Sequence, residues 1–217
     1  MSRSTSTEFT CPCGEVFNSS IYEYVNVAKD PLLQYTVLSG LLNVATCPCC
    51  GRRAAVSRPF IYSDPAHKLL AYVHPRNDAP EEARMLILER LQSTYANIVS
   101  GYDSSAGEQL IAPDNVQVCD RTRSDDVPPL QVVFGLDQLS ELINAVLAQD
   151  EKLGRLALST QSHNDAERGQ LLTIARKLAS EMQCQVEVED LPDEYTVWVY
   201  GSRRQVGALM RELATRS

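Results

Sequence analysis

Apolar and polar residues alternate early in the chain. Between Phe9 and Val27, the apolar positions Phe17, Ile21, Val25 and Val27 interrupt polar residues as a bent pair of strands does. Ahead of them, Met1 to Glu8 is a polar Ser/Thr run that reads as a disordered tail over residues 1–8. Asp30-Pro31 opens a short helix, with Asp30 as cap, Pro31 at the first helical position and Gly40 at its end. Extended segments follow at Arg53–Ile61 and Leu69–His74. Asp78-Ala79-Pro80-Glu81 has a capping-box frame, and Ile87, Leu88, Leu91, Tyr95 and Ile98 then stripe one face of a helix that stops before Gly101. From Tyr102 to Pro129 the density of Asp, Ser, Gly and Pro predicts a long loop or linker, with one strand at Val116–Cys119.

The last third has its own rhythm. Arg155–Thr160 reads as a strand. Asn164 caps a helix striped by Leu171, Leu172, Ala175 and Leu178, with Glu167 three positions after the cap. Cys184, Val186 and Val188 alternate with Gln185, Glu187 and Glu189, as a half-buried strand requires. Leu191-Pro192-Asp193-Glu194 turns the chain into a strand at Tyr195–Tyr200, and Ser202-Arg203-Arg204-Gln205 opens a final helix. The order strand, helix, strand, strand, helix predicts a small α/β module over 153–217 in the split-βαβ manner. The segment 131–134 and its following helix are candidates to extend that sheet, which leaves the boundary soft between 130 and 152.

Composition narrows the setting. The 217 residues suffice for one large or two small domains. No apolar run approaches the ~20 residues that span a bilayer, so no membrane is expected and the cytoplasm is the expected compartment. The net charge of −8 is unevenly spread: residues 79–152 carry thirteen acidic and five basic groups, whereas 1–78 carry six and seven. A broad nucleic-acid footprint needs a basic face, and the middle third argues against one.

The cysteines carry most of the chemistry. Five of the seven lie in the first 50 residues, as Cys11-Pro12-Cys13-Gly14 and Cys47-Pro48-Cys49-Cys50-Gly51. In a reducing compartment, such pairs more often bind metal or do redox chemistry than form disulfides. Cys47 and Cys50 have the gap of a zinc knuckle, and Cys11 and Cys13 repeat the Cys-Pro…Cys-Gly frame one residue shorter. Four thiolates, Cys11, Cys13, Cys47 and Cys50, give the closed tetrahedral shell of one structural Zn2+. Cys49 competes with Cys50 for the fourth position. A thiol redox pair at Cys47 and Cys50 is the rival reading, but that chemistry sits at strand-to-helix junctions, and an extended segment follows here.

Further residues join this pattern: Val25-Asn26 with Asp30-Pro31-Leu32, the run Ser39-Gly40-Leu41-Leu42-Asn43 before the second knuckle, and Tyr62-Ser63-Asp64-Pro65 after it. Together with Val132-Val133-Phe134-Gly135-Leu136, Leu139 and Glu141-Leu142-Ile143, they make residues 8–150 resemble the CpXC family of bacterial and archaeal proteins. The resemblance implies a metal-binding quartet at Cys11, Cys13, Cys47 and Cys50, and no established activity. The shortened first motif departs from the family pattern.

The expected fold class is therefore α+β: a zinc-ribbon-like antiparallel β domain with helices over 9–150, then the α/β module. His67, His74 and His163 are scattered away from the cysteines, and no phosphate loop, nucleophile elbow or zincin helix appears. The reading points to a non-enzymatic interaction or adaptor protein, with a protein partner or a second copy as its target. Its alternative is a nucleic-acid-associated zinc ribbon contacting phosphate through Arg52, Arg53 and Arg58. Those arginines are otherwise expected to solvate a loop or pair with the acidic middle region. Trp198 and Tyr200 share one strand face, opposite Tyr195, Val197 and Val199, and are expected to form an exposed contact surface.

Overall fold

The computed structural model describes residues 1–75, 80–99, 128–191 and 194–216. The strand expected at Val116–Cys119, the cap at Asp78 and the turn residues Pro192-Asp193 lie outside the described residues. The protein is a mixed α+β structure.

Strands β1 (Arg3–Thr10) and β2 (Val16–Asn26) form an antiparallel hairpin at one edge of a five-stranded sheet. The segment expected to be a disordered tail is thus mostly β1. Ser2 explains why it holds: its backbone N–H donates to Asp30 Oδ2 at 2.7 Å, and its hydroxyl accepts from the Asn26 N–H at 2.9 Å. The same contact takes Asp30 away from its expected capping role. Helix α1 (Leu32–Leu38) starts with Pro31 as N-cap and no side-chain cap, and Gly40 leaves it at φ +74° as expected.

The expected strand Arg53–Ile61 is two strands in two different sheets. β3 (Val44–Thr46) and β4 (Arg53–Ala55) form a small hairpin, and the chain then turns through Pro59, which has no N–H to continue a ladder. β5 (Phe60–Asp64) enters the large sheet parallel to β2 and antiparallel to β6 (Leu69–His74). Helix α2 (Glu81–Val99) buries its Ile87, Leu88 and Leu91 stripe only halfway. β7 (Leu130–Phe134) pairs in parallel with β6, completing the order β1-β2-β5-β6-β7. The strand offered as an extension of the C-terminal sheet therefore belongs to the first one. Helix α3 (Leu136–Val146) follows, and its Leu139 and Ile143 join Val37 of α1, Tyr62, Leu69, Ala71 and Val73 in one core.

The C-terminal sheet has the order β8-β10-β9, from β8 (Leu153–Thr160), β9 (Gln185–Leu191) and β10 (Glu194–Ser202). Both outer strands are antiparallel to β10, so they run parallel to each other with β10 between them. The crossover is α4 (Asp165–Glu181), where Asn164 Oδ1 accepts from the Ala166 N–H as the expected cap. α5 (Arg203–Arg216) begins with a complete capping box: Gln205 N–H donates to Ser202 Oγ, and Ser202 N–H donates to Gln205 Oε1. Val197, Val199, Leu178 and Leu209 are buried between this sheet and its helices.

Candidate metal centre

Each cysteine motif forms the tip of a hairpin. In the β1–β2 tip, Cys11 N–H donates to Glu15 O at 2.8 Å and Gly14 N–H to Cys11 O at 2.9 Å. In the β3–β4 tip, Cys47 N–H donates to Arg52 O at 2.9 Å and Gly51 N–H to Cys47 O at 3.0 Å. The two turns close with the same pair of hydrogen bonds, the first with one residue fewer. Gly14 (φ +94°) and Gly51 (φ +69°) hold left-handed positions that a Cβ would strain. In both tips the second inward cysteine is the one just before glycine. The shortened motif therefore keeps the turn, and Cys49 is the residue the longer turn inserts.

Asn43 brings the tips together. It adopts φ +57°, a conformation asparagine tolerates, and its side chain pairs with the backbone of β2. Asn43 Oδ1 accepts from the Tyr22 N–H at 2.7 Å, and Nδ2 donates to the Tyr22 carbonyl at 3.0 Å. Its own carbonyl accepts from the Val56 N–H, just past β4. The small hairpin is thereby fastened beside the large one.

The result is a cluster of the four sulfurs of Cys11, Cys13, Cys47 and Cys50, all within 4.8 Å of one another, a group that can hold a metal ion. Cys11 and Cys50 are 3.5 Å apart, and Cys13 and Cys47 are 3.7 Å apart. Cys11 and Cys47 are buried, whereas Cys13 and Cys50 are solvent-exposed. Cys49 is exposed and outside the quartet.

Electrostatics separates the thiols. The Glu15 backbone N–H, and then the Cys11 thiol, pull Cys13 down to about 7. The Cys13 backbone N–H pulls on Cys11 too, but burial and the other three thiols outweigh it and push Cys11 up to about 12. Four thiolates at one point repel one another, and a cation removes that conflict. Arg52 lines a recess with Cys11, Pro12, Cys13 and Cys50, adding positive charge beside the sulfurs.

The remaining candidates lie apart. His67 Nδ1 is 2.7 Å from Asp64 Oδ2, His74 packs against the Phe134 ring and His163 Nδ1 is 3.4 Å from Arg168; none belongs to the quartet. Arg53 pairs with Glu187 in β9 at 2.7 Å, not with the acidic middle region, and Arg58 is exposed. Trp198 and Tyr200 share a face as expected, with ring centroids 6.4 Å apart, while Val197 and Val199 are buried on the other. The pair is half-buried, however. Trp198 Nε1 donates to Glu189 Oε2 at 2.8 Å, Arg155 stacks over the indole, and β4 reaches the same side of the sheet through the Arg53 pair.

Asn43 and Glu187 were not among the sequence candidates. A signal existed for Asn43, an asparagine ending a helix-stop run that starts at Gly40. None existed for Glu187, which is one of several carboxylates along β9.

Two hairpin tips converge on a cysteine quartet that can hold a metal ion, on a mixed α+β scaffold. The family model described as CpXC protein matches residues 9–153, and the chain belongs to the CpXC family. No curated protein and no solved structure matched the chain. Among the described residues, no helix is long and apolar enough to cross a membrane.

Proposed function

We propose that this protein is a zinc-stabilised interaction protein of the cytoplasm, in which Cys11, Cys13, Cys47 and Cys50 hold one structural Zn2+ at the tip of a zinc-ribbon-like pair of hairpins. The observation that carries the reading is the sulfur spacing. Zn–S bonds of ~2.3 Å in a tetrahedron separate sulfurs by roughly 3.8 Å; Cys11–Cys50 and Cys13–Cys47 are 3.5 and 3.7 Å apart, and all four sulfurs lie within 4.8 Å of one another. Four protein ligands leave no open position for a substrate, which favours a structural over a catalytic ion. Zinc is favoured over a redox role because both knuckles converge on one point, at hairpin tips rather than at a strand-to-helix junction. Arg53 is engaged by Glu187, so the arginine patch proposed for nucleic acid loses its central member, and a protein partner or second copy is the favoured target. The half-buried Trp198 and Tyr200 supply aromatic surface for it.

Structural zinc contributes roughly 10–16 kcal/mol to folding in small knuckle domains. Cys11→Ser and Cys47→Ser are expected to lose the metal and to open the two hairpin tips to protease, while the main core around Val37 and the separate core of 153–217 stay folded. Elemental analysis and limited proteolysis of both variants test this. Unchanged metal content and digestion would overturn it.

A further inference from the structure

Arg53 stands one residue past the bond that closes the second knuckle, where Cys47 N–H meets Arg52 O. Its guanidinium lies 2.7 Å from Glu187 Oε1 and donates to the Val188 carbonyl at 3.2 Å. Both partners are in β9, an edge strand of the C-terminal sheet. Thr46 to Gly51 on one side and Val188 to Leu191 on the other wall a cleft of about 700 Å³. Glu189 lines this cleft and accepts the indole N–H of Trp198, the single tryptophan of the chain.

We propose that Arg53 couples metal occupancy to the docking of residues 153–217, so that a bound ion and a docked C-terminal module stabilise each other. The inference rests on the reading of the quartet as a metal site. The physical reason is the size of the β3–β4 hairpin: two three-residue strands are too short to stand alone in water. An ion bound by Cys47 and Cys50 fixes the tip, and the tip fixes the start of β4, from which Arg53 reaches β9. Without the ion, Arg53 must spend conformational entropy to hold its fork on Glu187 and Val188. Coupling of this kind is reciprocal, so docking on β9 also restrains the knuckle against opening. Another contact to β9, Thr36 Oγ1 donating to Gln185 Oε1 at 2.6 Å, comes from α1, whose Val37 is rooted in the main core. It does not depend on the knuckle. Metal loss therefore frees the Glu187–Leu191 end of β9 and leaves the Gln185 end attached.

The test uses the full chain loaded with zinc, following release of the ion to a chromophoric chelator and, separately, Trp198 emission with and without zinc. Glu187→Gln, Arg53→Ala and the double variant are compared with the wild type. Each single change is expected to speed release roughly two- to tenfold, and the double change is expected to be no faster than the faster single one. Removal of zinc shifts Trp198 emission in the wild type, and the shift shrinks in Arg53→Ala. Glu187→Gln alters neither a ligand nor the knuckle, so its effect reads coupling rather than damage to the site. If the wild type binds one zinc, Glu187→Gln releases it at the wild-type rate and Trp198 emission ignores the metal, the coupling is overturned while the metal reading stands. If the wild type takes up no zinc, both are overturned.

Discussion

Asn43 does the work of a strand neighbour with one side chain. Its amide satisfies the N–H and the carbonyl of Tyr22, both of which would otherwise face a gap between the two hairpins. Replacing it by glycine keeps the left-handed backbone and deletes both bonds; alanine also adds strain at positive φ. Either change is expected to cost about 2–4 kcal/mol, from two lost hydrogen bonds and two unpaired backbone groups. Urea midpoints check this, and glycine falling close to alanine would assign the effect to the amide rather than the turn. The quartet gives a second test at this scale. Cys49→Ser should retain metal, because Cys49 is the residue inserted into the longer turn, and Cys50→Ser should lose it. Metal-to-protein ratios in the opposite order would make Cys49 the ligand. The sequence made four cysteines legible through their Pro and Gly neighbours, and it left Cys49 and Cys50 in competition because spacing alone cannot show which thiol turns inward.

At the scale of elements, local pattern is a good guide to which face of a strand or helix is buried. β6 alternates buried and half-buried residues, Asn164 and the Ser202–Gln205 box cap their helices, and β8 and β10 fall where expected, whereas β9 is half-buried on both faces from Gln185 to Glu189. Pattern does not say which strand lies beside which. Apolar alternation in β5 and β7 fits any sheet, so their parallel pairing beside β2 and β6 had no sequence signal. Nor did it reveal that Asp30 would serve β1 instead of α1. That exchange has a pH signature. The Ser2 hydroxyl and then the Ser2 backbone N–H hold the Asp30 carboxyl below the usual carboxylate range. A carboxyl with a lower pKa folded than unfolded contributes stability above its unfolded value and loses it as pH falls through the folded value. The amide resonances of Ser2 and Asn26 should therefore titrate together, with a midpoint below that of an ordinary aspartate. A midpoint at the ordinary value, or no shared transition, would break the proposed tie between β1 and α1.

For the whole molecule, two cores are joined by contacts made across long sequence separations. The first core lies under α1 and α3, the second under α4 and α5, and Arg53 and Thr36 reach from one unit to β9 of the other. That β8, β9 and β10 form a sheet separate from the five-stranded one was legible because the rhythm of the chain changes near residue 150. How the two sheets meet was less so, because a face that meets another unit of the same chain has the same alternation as one that meets water or a partner. In the proposed function, one ion bound by the quartet would pin the two hairpin tips, and those tips would position what surrounds them. Zinc-edge X-ray absorption on the purified full chain tests this most directly. One zinc per chain with four sulfur neighbours at ~2.3 Å is the expected result. A chain without zinc, or a shell containing nitrogen or oxygen in place of sulfur, would contradict it.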